Sequence, residues 1–474
     1  MNVYIRTLLI LLFSLFTLHF LKAEGTTPRI LKLEECVRLA RENNVRARNA
    51  QKDLRMAKEL QRYTRTKYYP SLNASASHFE ASDYLIREQF FGEEIAIAIE
   101  EINNELGTNF NTGQLNALKR GTMGGVSFLQ PIYTGGRISA VNKLADLQID
   151  ADKLLMDITD DGLVQEAEIL YFLIVRLHGK LRTLDSSDAE VASILRDATN
   201  LSTEGIVSSN DVLSVELTQD QMAAMRLRLN NALSLARRTL AKAIGSANEE
   251  VDVDTTFFTE TVAPETLWID PMTAVDNRNE TKILDINVER TKLETKFAKA
   301  NMLPVFAVGG SWNVSRFLSS TQTRGLAIAT VMMPLSSFWS EKHLLNRKKI
   351  AEEKALDFRQ DKRELLDLET RSAYDNLTSA YQQIAIAKKS IKHADENLRA
   401  KREAYINGVT NMSTLLEAQR QQQQAYDQYT DAMCEYHQSK TKYLIITGRK
   451  EYTYGRNDEA RFQRYEDEDE GEAK

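Results

Sequence analysis

The chain carries a long internal repeat. Pro131 recurs as Pro334, Gly205 as Gly408 and Gly245 as Gly448, each pair 203 residues apart. Each Pro belongs to a short strand-like run, each first Gly breaks two long helical stretches, and each second Gly ends a helix. A period this long excludes a solenoid unit, whose repeat is roughly 20–50 residues. It predicts two similar half-proteins, each a long helical hairpin attached to a small β element. With 7 Pro and 20 Gly in 474 residues, little interrupts the helices.

The first copy reads in order. Leu33 to Lys67 is helical and ends at Tyr68-Tyr69-Pro70. Ser71 to Ser77 alternates small polar and small apolar residues, the period of a strand. A second strand-like run, Met123 to Tyr133, closes in Thr134-Gly135-Gly136. Arg137 to Thr203 lacks Pro and has Gly only at 162 and 179. As one helix, those residues would reach about 100 Å. Another helix is predicted from Asp211 to Ile244. The second copy repeats the plan: a helix from Thr266 to Met302, strands Val305 to Val314 and Gly325 to Leu335, then helices Trp339 to Ile406 and Ser413 to Thr447. Leu33, Ala40, Asn43 and Pro70 also recur as Leu267, Ala274, Asn277 and Pro304, but 234 residues on. The first copy therefore holds a net insertion of 31 residues (234 − 203) between its strands.

The long helices show spacings of 4 and 3. One such row is Leu415, Gln419, Gln422, Tyr426, Tyr429, Met433, Tyr436, Lys440 and Tyr443. Another is Val141, Leu144, Gln148, Ala151, Leu155, Ile158, Gly162, Gln165, Ile169 and Phe172. That period implies left-handed knobs-into-holes packing. Further apolar residues on other faces, such as Val215, Met222 and Leu229, suit an array or tube of helices. By themselves the heptads also fit a structural coiled coil.

Residues 1–23 read as a secretory signal, with Arg6 before the apolar run Leu8 to Leu21 and Ala23 at its end. No later stretch approaches the ~18–20 apolar residues of a membrane helix. Contact with a bilayer would therefore use strands. Runs of roughly ten residues are long enough to cross when tilted. Four strands cannot close a barrel alone, since closed membrane barrels start at about eight. Open edges in lipid leave backbone groups unpaired at several kcal/mol each. In a membrane, several chains would have to share one barrel. The same strands also fit a soluble hairpin. Cys36 and Cys434 read either as a disulfide in an oxidising compartment or as two small buried residues.

The order of helix, two strands, long helix, Gly turn and helix, written twice behind a signal, resembles the TolC-type outer-membrane efflux proteins. Leu31 to Ala40 with Glu42-Asn43-Asn44 looks like that family's opening helix. Gln130-Pro131-Ile132-Tyr133-Thr134-Gly135-Gly136-Arg137 resembles its strand-to-helix junction. Gly205-Ile206-Val207-Ser208 with Asp211-Val212-Leu213 resembles its first hairpin tip, and Gly408-Val409-Thr410 with Leu415 to Gln419 its second. The resemblance covers about Leu31 to Gly448. It implies a mainly α fold with a small β part: a homotrimer with a long α-helical barrel and a shared transmembrane β-barrel. On this reading residues 1–23 are the signal peptide, 24–265 the first repeat, 266–448 the second, and 449–474 an acidic tail. Residues 83–121 would be an extracellular insertion, with Ile95, Ile99, Ile102 and Leu106 spaced as an amphipathic helix. The implied partners are a periplasmic adaptor, an inner-membrane transporter and outer-membrane lipid. The chain would sit in the outer membrane of a Gram-negative bacterium with its helices in the periplasm, and would be a conduit without a cofactor.

In this family, acidic residues near the second tip can ring the periplasmic entrance. The corresponding positions here are Thr414 and Glu417, and Asp211 holds the matching place in the first tip. Thr414 departs from the pattern because it carries no charge. Asp211 and Glu417 also read as acids at helix starts, where the dipole favours them. Gly205, Val207, Ser208, Gly408, Val409 and Thr410 would meet the adaptor, although the two glycines also serve simply as helix ends.

Other classes find less support. His78, His178, His343, His393 and His437 are scattered without metal-ligand spacing. Gly124-Gly125 and Gly135-Gly136 lack the Lys-Ser or Lys-Thr of a phosphate loop. A net charge of −6 argues against a nucleic-acid partner. The main alternative is a periplasmic coiled-coil adaptor or scaffold.

Overall fold

The computed structural model describes residues 28–83, 86–89, 97–98, 100–102, 114–117, 119–256, 261–317 and 320–449. The signal segment and the acidic tail lie outside the described residues. The helices are α1 (Leu33–Asn43), α2 (Val45–Arg65), α3 (Arg137–Thr203), α4 (Ser209–Ala243), α5 (Pro271–Asn277), α6 (Asn279–Ala300), α7 (Ser337–Ile406) and α8 (Met412–Ile446). The strands are β1 (Arg29–Leu31), β2 (Ser71–Glu80), β3 (Ile86–Gln89), β4 (Gln114–Ala117), β5 (Arg120–Tyr133), β6 (Val251–Val253), β7 (Val305–Phe317) and β8 (Ser320–Met332).

The repeat is visible in the backbone. Gly205 and Gly408 adopt φ of 75° and 72°, the left-handed region that closes a helix. Behind each, the next residue's N–H reaches back five residues, from Ile206 to Leu201 and from Val409 to Ala404. Gly245 and Gly448 end α4 and α8 with the same pair of bonds. The N-caps follow the same offset: Ser208 Oγ accepts from Asn210 N, and Asn411 Oδ1 accepts from Thr414 N.

Two predicted helices are each broken once. Leu33 to Lys67 is α1 and α2 with extended Asn44 between them, and the helix predicted from Thr266 starts at Pro271 and breaks at extended Arg278. The two breaks are 234 residues apart, as the sequence offset requires. Neither break contains Pro or Gly, so composition did not signal them. Asn44 is held by tertiary contact instead: its Nδ2 donates to Ala243 O at 2.9 Å. The strands run past the predicted limits at their outer ends, and Pro334 follows β8 rather than lying in it.

The described chain divides into two compact units, which cut across the repeats. One comprises residues up to 55, 151–285 and from 358 on; the other comprises 56–150 and 286–357. The first holds most of the core. Its larger cluster joins Leu33, Cys36, Val37 and Ala40 of α1 to Val164, Tyr171, Phe172 and Val175 of α3, Leu240 of α4 and Tyr436 and Tyr443 of α8. The parallel pair β1–β6 is stitched to it through Leu31, Val251 and Val253. Cys36 and Cys434 are free and buried in this cluster. Gly179 sits where α3 meets α8, and a Cβ there would fall 2.7 Å from Thr430 Cγ2.

The buried row of α3 differs from the predicted seam. Gln148, Leu155 and Ile169 are exposed, whereas Ala145, Ile149, Asp152, Met156, Asp160 and Leu163 are buried. The two acids hid this row from a hydrophobic count. Asp160 is paired with Arg41 Nε of α1 at 3.1 Å. The α8 row fits better, with Leu415, Gln419, Met433, Tyr436 and Tyr443 all buried.

The second unit contains the four-stranded antiparallel sheet, ordered β2-β5-β7-β8. Within the insertion, β3 and β4 pair as a short antiparallel ribbon, which the sequence did not suggest. Of the predicted insertion helix, residues 97, 98 and 100–102 are helical and exposed; the remainder lies outside the described residues.

Candidate functional site: a two-faced sheet and paired helical tips

Register fixes which side chains share a face, because directly paired residues point the same way and neighbours along a strand alternate. One face of the sheet carries Leu72, Ala74 and Ala76 of β2, Gly124, Val126 and Phe128 of β5, Val308, Gly310, Trp312 and Val314 of β7, and Gly325, Ala327 and Ala329 of β8. This band is continuous and apolar, and Trp312 is 63% exposed. The charged residues of this face, Glu80, Arg120 and Arg316, lie at the far ends of the strands, away from the helices.

The other face is polar through its middle. It presents Ser71, Asn73, Ser75 and Ser77 of β2, Ser127 of β5, Ser311, Asn313 and Ser315 of β7, and Gln322 and Arg324 of β8. Leu129 and Ile328 add apolar area to it near the helical ends of the strands, and Met123 and Leu326 stand singly within the polar rows. A sheet with one apolar and one polar face, and a bare outer strand on each side, is built to separate lipid from water only when its edges are closed by further strands.

The tips of the two helical hairpins belong to the first unit. Their core unites all four long helices: Val191, Ile194 and Ala198 of α3, Val215 and Met222 of α4, Leu398 and Tyr405 of α7, and Met412, Leu415 and Ala418 of α8. Arg402 of α7 ties the hairpins together. It donates to Glu190 Oε1 at 2.8 Å, Ser193 Oγ at 2.6 Å and Asp197 Oδ2 at 2.8 Å, all on α3. Tyr405 is buried one turn further on. Burial, and then the neighbouring Asp211 carboxylate, push its phenol up to about 12.

The residues singled out from the sequence fall into different settings. Asp211 is half-buried in the first turn of α4, against Tyr405. Thr414 is half-buried, and its hydroxyl donates to Asn411 Oδ1 at 2.7 Å, within the cap of α8. Glu417 is exposed and bound by its own helix: Arg420 Nε donates to Oε2 at 2.9 Å and Arg420 Nη2 to Oε1 at 2.5 Å. Hydrogen bonds from Arg420 and then Gln421 hold its carboxyl below the usual range. Gly205, Ser208, Gly408 and Val409 are exposed, Thr410 is half-buried, and Val207 packs against the tip core. Ile206 was missed. It is 59% exposed and stands where the second copy has Val409, 79% exposed. The repeat offset itself was the signal that could have found it.

Among the described residues no helix is long and apolar enough to cross a membrane. The fold is that of outer-membrane channels. OprN superposes with a TM-score of 0.73 at 17% identity, covering 88% of this chain and 89% of that one. VceC from Vibrio cholerae gives 0.72 at 12% identity, covering 88% and 96%. The open state of MtrE from Neisseria gonorrhoeae gives 0.65 at 15% identity, covering 88% and 89%. No curated protein matches the chain. Residues 273–444 match the family model of the outer membrane efflux proteins.

Proposed function

We propose that this chain is the outer-membrane exit duct of a tripartite efflux pump or type I secretion system. The observation that carries the reading is the two-faced sheet joined directly to long helical hairpins. Its apolar face suits lipid and its polar face suits water. Its order leaves β2 and β8 as outer strands. Three chains, each giving four strands, would close a barrel of twelve and leave no edge in the bilayer. The two repeats, 24–265 and 266–448, then supply one long hairpin each to a periplasmic helical tube.

The duct is passive, and a transporter of the inner membrane supplies the energy. The tips form its periplasmic entrance, with Asp211, Thr414 and Glu417 nearest the opening. The adaptor docks on the turns, where Ile206 and Val409 offer exposed apolar contacts beside Gly205, Ser208, Gly408 and Thr410. The insertion 83–121 lies at the external mouth.

Fractionation tests this reading. A heat-modifiable trimer in the outer membrane that conducts ions in a planar bilayer supports it. A soluble periplasmic protein would favour the coiled-coil scaffold. A photoreactive residue in place of Val409 should capture one periplasmic adaptor in cells.

A further inference from the structure

We infer that Arg324 sets a cationic ring in the lumen of the β-barrel, making the outer part of the duct favour anionic solutes. The inference rests on the duct reading above.

Three observations place the charge. Arg324 pairs in register with Asn313, which pairs with Gly125, which pairs with Ser75. That row belongs to the serine- and asparagine-rich face, opposite the apolar band. Arg324 is the one charged residue on this face of the described sheet. Its Nη2 donates to Gln322 Oε1 at 2.7 Å, a neutral acceptor two residues away on the same strand. No carboxylate on this face offsets the guanidinium, and the residue is exposed.

The same row is closely fitted between Gly125 and Asn313. A Cβ on Gly125 would fall 2.2 Å from Asn313 Oδ1, so a larger residue there would displace the Asn313 amide. Asn313 Nδ2 is turned to Ser311 Oγ at 3.0 Å. In a trimer, symmetry brings three copies of Arg324 to one level of the pore. Rings of Arg or Lys favour anions, as rings of acids favour cations. Such a ring acts over about 10 Å at 0.1 M salt and about 30 Å at 0.01 M. In a wide barrel its effect is therefore largest in dilute electrolyte. Asp211 and Glu417 would bias the entrance the other way.

The test is the reversal potential of the full-length protein in a planar bilayer, under a KCl gradient in the low millimolar range. Arg324→Gln should raise the permeability ratio of potassium to chloride about twofold. Arg324→Lys should keep the wild-type ratio. For a second readout, Arg324→Cys in the inserted channel is treated with thiosulfonate reagents of either charge; native Cys36 and Cys434 are buried. The anionic reagent should raise the ratio and the cationic reagent restore it. Conducting Arg324→Gln and Arg324→Cys channels whose ratio does not respond would overturn the ring while leaving the duct intact. Wild-type protein that never conducts would overturn the duct reading, and the ring with it.

Discussion

Arg402 Nη2 on α7 donates to Asp197 Oδ2 on α3 at 2.8 Å, and the same guanidinium also reaches Glu190 and Ser193. One side chain thus spans two turns of the facing helix and joins the first copy to the second. Arg402→Ala should destabilise the protein by about 1–2 kcal/mol, more than an isolated surface pair contributes. Arg402→Lys should recover only part of this, because a compact ammonium cannot span acceptors spread over two turns as the planar guanidinium does. If the tips narrow the entrance, the alanine variant also conducts more at rest. Thermal melts and single-channel records check both effects, and wild-type values in both would refute the clamp.

Glu417 and Arg420 form a second relationship at the tips, within one helix. Glu417→Gln should lower cation selectivity of the trimer, since it removes an acid and leaves Arg420 unpaired by it. Arg420→Gln should raise cation selectivity, because it frees the carboxylate. The two reversal potentials should shift in opposite directions. Shifts of the same sign would show that neither group faces the pore.

Glu168 lies buried between α3 and α8, where Thr441 Oγ1 donates to it at 2.8 Å. Burial pushes its carboxyl up to about 8. Because the folded value exceeds the unfolded one near 4.3, folding takes up a proton between these values. The associated stability is fully present below about pH 4 and is lost as pH rises to about 8. Glu168→Gln puts a neutral amide in its place, whose oxygen can still accept from Thr441, and cannot ionise. Its melting temperature should match wild type near pH 4.5 and exceed it by several degrees at pH 8. Parallel pH profiles for the two proteins would rule out a buried neutral carboxyl.

The helix-end glycines separate two costs. At Gly408 (φ 72°) a Cβ meets nothing within 4 Å, so Gly408→Ala pays only for left-handed backbone, about 1–2 kcal/mol. At Gly245 (φ 77°) a Cβ would fall 2.4 Å from Asn43 Cβ, so overpacking adds about 1–3 kcal/mol more. Denaturant titration should rank Gly245→Ala well below Gly408→Ala in stability. Equal losses would mean that the α1–α4 junction yields freely.

Much of the architecture was legible because it depends on local backbone chemistry. Gly205 and Gly408 announced helix ends through the φ only glycine adopts readily, and the stretches poor in breakers, Arg137 to Thr203 and Trp339 to Ile406, became α3 and α7. The alternation Ser71 to Ser77 gave β2 its two faces before its partners were known. Less of the candidate site could be read. The seam of α3 was missed because Asp152 and Asp160 occupy buried positions, and a sequence does not show that Arg41 stands opposite Asp160. The breaks at Asn44 and Arg278 were missed because neither residue is a breaker; Asn44 is held by Ala243, nearly two hundred residues away.

The sequence alone determined the period, the order of elements, the helix caps and the alternation along each strand, since these arise from residues close in the chain. Tertiary structure decided which rows are buried, that Val207 turns inward while Ile206 turns out, that Arg402 bridges to Asp197, and that Arg324 stands in one row with Asn313. Those facts depend on pairing between distant segments. Hydrophobic periodicity constrains such pairing but does not specify it, because burial and strand register are properties of two surfaces together.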